Sequence, residues 1–332
     1  MKAVICTGYG PPEVLQIREV DKPVPKKNEV LVRVMASAVN SGDVRVRSLA
    51  VKGIMKVVMR LVLGFNKPRK AIPGTVYSGV VESVGKKVFR FKAGDKVFGM
   101  RGFQFGTYAE YMTVNQNSNV LIKPDNATYE EAVAIIFGGQ TAIYFLEKAG
   151  IAKKASPKIL IIGATGSVGT SAILLAKYHE ADITAVCSTA GSELVKSLGV
   201  DKIIPYDQQD FTQYGQQFDI IFDAVGKTST KECKSLLKPG GVYLNVNTSG
   251  FASENVRQLE LLRELYEQGK CQAVIDRVYP MEQVVEAHKY VDTGRKKGNV
   301  VLSIGAEEMI RHDNSTTSNK FITVKDSHDY HP

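Results

Sequence analysis

An apolar, strand-like run, Lys158-Ile-Leu-Ile-Ile162, enters Gly163-Ala-Thr-Gly-Ser-Val-Gly169 and continues into a helix-like stretch to Lys177. The spaced glycines each serve a physical need. Gly163 permits a tight turn, Gly166 lets backbone approach a pyrophosphate, and Gly169 allows the helix to pack closely on the strand. The helix start presents oriented N–H groups to an anion, with Thr165, Ser167 and Val168 in the same loop. Glycine spacing alone also describes a plain structural turn. The strand before it, the helix after it and four further β units make it a dinucleotide site.

The end of the next strand bears on which dinucleotide. An Asp or Glu about 20 residues past the glycines grips a ribose hydroxyl of NAD. The chain has Cys187-Ser188-Thr189 there and no acid, so Ser188 and Thr189 are expected to tolerate a 2′-phosphate and the expected cofactor is NADPH. No Arg adjoins them, although Lys196 follows one or two helical turns on.

All five histidines lie at or beyond His179, and the region before residue 125 holds only Cys6 among cysteines. A catalytic zinc requires three protein ligands and an open position, so no metal is expected. His179 and His288 read as helix-surface or helix-end polar residues. Tyr144 and Lys148 have the spacing of the Tyr/Lys pair of short-chain dehydrogenases, but they precede the glycine loop instead of following it. Helix packing and a surface charge explain them better.

The elements that must hold these residues change character near residue 125. Earlier, short β-rich segments alternate with Gly/Pro turns: Ala3–Cys6, Glu29–Ala38, Val76–Val84, Asp95–Gly99 and Thr107–Thr113. This predicts a mostly antiparallel barrel. Later, strands at 158–162, 182–186, 202–204, 218–222 and 242–246 alternate with helical stretches ending at Lys177, Leu198, Leu237 and Gln268, the pattern of a parallel sheet covered on both faces. Tyr129–Lys148 is expected to be one bridging helix, with Glu130 and Glu131 in its first turn. A further helix, Met281–Val291, and a strand, Asn299–Ser303, follow.

A length of 332 residues favours two domains. The expected division is a barrel-like catalytic domain at 1–124 completed by 275–304, a dinucleotide-binding domain at 125–274, and a polar, loosely ordered tail at 305–332. No run approaches the roughly 18 apolar residues of a membrane span, and the start does not read as a signal peptide, so cytoplasm is expected. Four scattered cysteines without a C-x-x-C pair suggest reduced, structural thiols. The net charge of +9 is spread in small groups without interleaved stacking aromatics, so nucleic acid is not expected as a partner, while positive charge suits a phosphate-rich cofactor.

Taken together, Met1-Lys-Ala-Val4, Gly10-Pro-Pro-Glu-Val-Leu15, Ala38-Val-Asn-Ser-Gly-Asp43, Pro73-Gly-Thr-Val-Tyr-Ser-Gly-Val-Val-Glu-Ser-Val-Gly85, Phe91-Lys-Ala-Gly-Asp-Lys-Val97, the glycine loop, Phe222-Asp-Ala-Val-Gly226 and Pro239-Gly-Gly241 resemble the zinc-free, quinone-oxidoreductase-like branch of the medium-chain dehydrogenase/reductase superfamily. The resemblance covers roughly residues 1–304. It implies a Rossmann-type doubly wound parallel sheet with a GroES-like, mostly antiparallel β-barrel domain. Where related zinc alcohol dehydrogenases carry Gly-His-Glu, this chain has Gly74-Thr75-Val76; their ligand cysteine matches Asn40 or its neighbours, and their four structural cysteines are missing. The resemblance further implies that Asn40 and Thr141 sit near the nicotinamide, Tyr206 near the adenosine end, and Ala224, Val225, Gly226, Val246 and Asn247 at strand ends facing the cofactor. The family usually adds a sixth strand at a homodimer edge. Here only about eight residues separate Asn247 from the helix beginning near Asn255, so that strand is expected to be shortened or absent and the homodimer is put in question.

Without zinc or a nearby histidine, the chain is poorly equipped to ionise an alcohol. Hydride transfer from NADPH to a quinone or an α,β-unsaturated carbonyl is the expected reaction, with backbone N–H groups and Asn40 meeting the oxyanion and Asp43 or Tyr77 as candidate proton donors. The segments expected to line the acceptor pocket, Val44–Arg69 and Phe103–Thr107, carry no distinctive chemistry. Two other readings remain: an NADPH-binding sensor or scaffold with little turnover, and an alcohol dehydrogenase, which would require metal.

Overall fold

The computed structural model describes residues 1–50, 53–250 and 252–305. The N-terminal region begins with a hairpin of β1 (Lys2–Cys6) and β2 (Leu15–Glu19). There follow β3 (Glu29–Val39), α1 (Ser41–Ser48), α2 (Ile54–Leu63), β4 (Val76–Val84), β5 (Lys96–Met100), β6 (Tyr111–Asn115) and β7 (Val120–Ile122). Strand β3 is nearly all buried because β4, β6 and a C-terminal strand pair with it, which accounts for its near-continuous apolar run.

Helices α3 (Tyr129–Ala134) and α4 (Ile136–Lys148) lead to the second sheet. A single helix is expected over 129–148; the observed chain breaks at Ile135, which ends one helix and starts the next. Beyond the break, Gly138 and Gly139 lie so close to the Ser167 backbone and the Leu262 side chain that a Cβ at either would collide.

The second sheet contains β8 (Lys158–Ile162), β9 (Asp182–Cys187), β10 (Lys202–Pro205), β11 (Phe218–Asp223) and β12 (Leu237–Asn245), all parallel, in the order β10-β9-β8-β11-β12. Its helices are α5 (Ser167–Tyr178), α6 (Ser192–Ser197) and α7 (Val256–Glu267). Among the described residues it has five strands and no sixth. The helix expected between Phe222 and Leu237 is a correction: turns and one 3₁₀ turn, Lys234–Leu236, occupy the interval. There Ser229 and Glu232 bond each other reciprocally as at a helix start, the Glu232 carboxylate accepting from Ser229 N and Oγ and Ser229 Oγ accepting from Glu232 N, but the chain goes no further than one turn before β12 begins.

Strands β13 (Ile275–Pro280) and β14 (Asn299–Ser303), joined by α8 (Val284–Asp292), return to the first sheet, where β14 pairs antiparallel with β3. The largest core cluster runs from β4 and β5 through α3 and α4 into the parallel sheet, so the two sheets share apolar packing. No described helix is long and apolar enough to cross a membrane. The polar tail expected at 305–332 falls, from residue 306 onward, outside the described residues.

Candidate active site

The glycine loop leaves β8 where the chain reverses its direction of winding, between β8 and β11, at the carboxyl edge of the parallel sheet. Gly163 has φ +77°, and Gly163 and Ala164 both donate to the Val186 carbonyl. A Cβ at Gly169 would strike the Gly163 carbonyl, whereas a Cβ at Gly166 would find only that carbonyl, 3.7 Å away. The backbone at Gly166 therefore borders open space, and α5 begins there without a side-chain cap. Uncapped N–H groups at the positive end of a helix, bordering space a Cβ would enter, fit the pyrophosphate of a dinucleotide.

The C-terminal segment braces this loop. Gly298 N donates to Thr165 O at 2.7 Å, and Ser167 Oγ bonds Asn299 Oδ1 at 2.6 Å. Val168 packs against the shared core.

Beyond β9, Ser188 and Thr189 border the expected adenosine end, and Tyr206, well exposed, is held beside them by its N–H to the Cys187 carbonyl. Tertiary structure adds a residue that local sequence did not point to: Asp207, whose Oδ1 accepts from Thr189 N at 2.9 Å and Thr189 Oγ1 at 3.0 Å. The turn lacks an acid in sequence but has one in space. Lys297 contributes a positive field on the same side, acting on the Cys187 thiol that burial otherwise pushes up. Lys196 is paired with Glu193 at 3.1 Å.

At the end of β11, Asp223 is fully buried and accepts from Val225 N, Gly226 N, Thr228 N and Oγ1, and Asn245 Nδ2, at 2.7–3.1 Å. This carboxylate shapes the turn that presents Ala224, Val225 and Gly226. Val246 N bonds the Asp223 carbonyl, and Asn247 bonds Gly226 O and receives Arg45 Nη2 at 3.1 Å, a tie from α1 to the edge of the parallel sheet. The organising roles of Asp223 and Asn245 were not apparent from sequence: Asp223 folds the turn that follows it, and Asn245 reaches Asp223 and Thr228 only once β12 is paired beside β11.

Asn40 caps α1. Its Oδ1 accepts from Gly42 N and Asp43 N, the Asp43 carboxylate accepts from Asn40 N, and Asn40 Nδ2 donates to Thr75 Oγ1 at 2.7 Å. Gly42 faces the Phe137 ring, one helical turn before Thr141, whose hydroxyl bonds the Phe137 carbonyl. Through Phe137, α4 thus adjoins the start of α1.

Behind Asn40, the Tyr108 hydroxyl donates to Asp43 Oδ2 and to the Ala38 carbonyl, both at 3.2 Å. Burial pushes the Asp43 carboxyl up to about 7, against the opposing hydrogen bonds from Asn40 N–H and Tyr108. A void of about 10 Å³, lined by Asp43, Cys6, Arg47 and Phe105 among others, adjoins it, near the lower limit for one water. Tyr77 stands elsewhere: it is fully buried in the barrel interior with Val32, Val97 and Val120, its hydroxyl has no hydrogen-bond partner, and burial pushes its pKa up. Enclosure of this kind removes the geometric basis for a proton donor at Tyr77.

His288 also differs from the sequence reading. Far from being a surface residue, it is fully buried on α8, edge-on to the Tyr108 ring at 5.9 Å between centroids, with neither nitrogen hydrogen-bonded. Burial, helped by Arg47, pulls its pKa down to about 3. A wider groove of about 830 Å³, lined by residues such as Lys158, Gln213 and Lys238, opens at the amino ends of the parallel strands, away from the loop and from Asn40.

Residues 26–125 match the alcohol dehydrogenase GroES-like domain, and residues 198–302 match a domain described as zinc-binding dehydrogenase. Among the described residues no three His, Cys, Asp or Glu side chains gather as a metal site, and Asn40 and Thr75, whose side chains are an amide and a hydroxyl, are bonded to each other. The chain is 35% identical over 320 residues to 2-methylene-furan-3-one reductase of Solanum lycopersicum, covering 91% of this chain and 79% of that protein. It is 30% identical over 321 residues to the chloroplastic NADPH-dependent alkenal/one oxidoreductase of Arabidopsis thaliana, with the same coverages of 91% and 79%. The structure of the quinone oxidoreductase from Coxiella burnetii superposes with a TM-score of 0.81 at 26% identity, covering 91% of this chain and 99% of that one.

Proposed function

The chain belongs to the medium-chain dehydrogenase/reductase superfamily, in its quinone-oxidoreductase-like branch, and from that premise we propose that it reduces quinones or α,β-unsaturated carbonyls with NADPH, without a metal ion. The observation that carries this reading is the Asn40–Thr75 pair at the cleft: a neutral hydrogen-bond donor stands where a Lewis acid would need charged or imidazole ligands.

A nicotinamide dinucleotide, when bound, supplies the hydride. The chain's residues bind and orient. The uncapped start of α5 and the open edge at Gly166 take the pyrophosphate, and Thr141, Ala224, Val225, Gly226, Val246 and Asn247 border the remainder of the groove. Asn40 commits one amide hydrogen to Thr75, and its second is free to meet an enolate or phenolate oxygen. Asp43 fixes the Asn40 backbone and, with a carboxyl that titrates near neutrality, serves as the proton-holding group of the cluster. NADPH is favoured over NADH because Ser188 and Thr189 are uncharged, Lys297 adds positive field, and Asp207 is already engaged by Thr189.

The test is NADPH oxidation, followed by absorbance, with a panel of quinones and enals. Turnover with members of the panel supports the reductase. Cofactor binding without oxidation by any acceptor would replace it with the sensor reading.

A further inference from the structure

The described apolar side chains of helix α2 divide between the interior and the surface. Leu63 is buried, while Val57, Leu61 and Val62 on the helix and Phe65 just beyond it are each more than half exposed. A surface helix ordinarily buries its apolar residues and shows water its polar ones, so exposed apolar side chains grouped in this way mark an interaction surface. Phe103 extends the patch: it is nearly three-quarters exposed and packs edge-on against Phe105, which borders Pro68 and Lys70 on the loop returning from α2.

The charge around this patch has one sign. From Val44 to Val81 the sequence contains eight Lys or Arg and no Asp or Glu. Arg60, Lys67, Arg69 and Lys70 are exposed beside the apolar residues. Placing the same face of a second copy against it would oppose two basic rims, and a nucleic-acid backbone has no use for the apolar centre. An anionic lipid surface satisfies both: acyl chains take Leu61 and Phe65, and headgroups take the cations.

We propose that the outward face of α2, with Phe65 and Phe103, docks this protein peripherally on anionic membranes. The docked face includes Lys70 and adjoins Phe105, both of which line the void at Asp43. Docking goes beyond the reductase reading and does not depend on turnover.

Co-sedimentation of the full chain with vesicles tests it, comparing pure phosphatidylcholine with phosphatidylcholine containing roughly one-third phosphatidylserine, at low and high salt. Binding to the anionic vesicles is expected to be at least roughly tenfold tighter than to neutral ones and to weaken with salt. The pair Leu61→Glu with Phe65→Glu, and separately Arg60→Gln with Lys67→Gln, should each reduce it roughly tenfold while NADPH titration and melting temperature stay unchanged. If the first pair fails to fold, the second still decides. No vesicle binding, equal binding to neutral vesicles, undiminished binding by the folded variants, or a dimer in sedimentation equilibrium that Leu61→Glu dissociates would each overturn the proposal.

Discussion

Asn40 Nδ2 and Thr75 Oγ1 lie 2.7 Å apart, joining the first turn of α1 to the segment that enters β4. Both side chains are buried, and the same Asn40 caps α1 through its Oδ1. One residue thus caps a helix and ties it to the segment before β4. Asn40→Ala is expected to lose about 1 kcal/mol of stability with the cap and about 10²-fold in kcat with the oxyanion donor. Thr75→Val, which removes only the anchor, should cost less in kcat. Steady-state kinetics with an enone, alongside thermal melts, separates the two effects, and an unchanged kcat in Asn40→Ala would remove the residue from the mechanism.

The glycines of the loop should behave differently from one another. Gly166→Val places its side chain in open space and is expected to fold but fail to titrate with NADPH, whereas Gly169→Val drives a side chain into the Gly163 carbonyl and should not fold. Circular dichroism with calorimetric titration reads both. Unimpaired NADPH affinity in Gly166→Val would mean that the loop does not hold the pyrophosphate.

The proposed preference for NADPH makes Ser188 the position to change. The unaltered chain should bind NADPH more tightly than NADH, and Ser188→Asp should invert that order by repelling the 2′-phosphate. Asp207→Asn, which removes the acid beside Thr189, should strengthen NADPH binding further. Titration of both cofactors against the three proteins checks this; tighter NADH binding by the unaltered chain contradicts it.

Two buried groups should give stability opposite pH slopes. The Asp43 pKa is raised to about 7, so its contribution is complete below the unfolded carboxyl value and disappears as pH rises through about 7. The His288 pKa is lowered to about 3, so its contribution is present above the unfolded value of about 6.5 and disappears as pH falls toward 3. Between pH 7 and 5 each is worth about 2 kcal/mol, with opposite sign. His288→Leu should therefore become more stable on acidification over that range, and Asp43→Asn less stable, while the unaltered chain changes little. Denaturant melts at pH 5 and pH 7 measure the slopes, and parallel slopes in the two variants would show that neither group titrates as described.

Metal content is a direct check on the mechanism. The purified protein should hold no stoichiometric zinc, keep its activity in chelator and fail to oxidise ethanol with NADP. Ethanol oxidation that chelator abolishes and zinc restores would establish the alcohol dehydrogenase reading instead.

Local periodicity and turn chemistry are short-range properties, and what depends on them was legible along the chain. The glycine loop, the five parallel strands, the final strand Asn299–Ser303 and the interrupted sixth position all follow from runs and spacings a few residues long. Motif substitution likewise makes Asn40 and Thr75 conspicuous, although their bond belongs to the fold. Folding decided what depends on residues far apart in sequence. Asp207 reaches the Ser188 turn only because β9 and β10 are paired, and Tyr108 meets Asp43 across 65 positions. His288 and Tyr77 carry polar atoms that composition places at a surface or a site, yet the apolar residues around them enclose both. Burial is a property of the neighbours a side chain acquires, and those neighbours come from other elements of the chain.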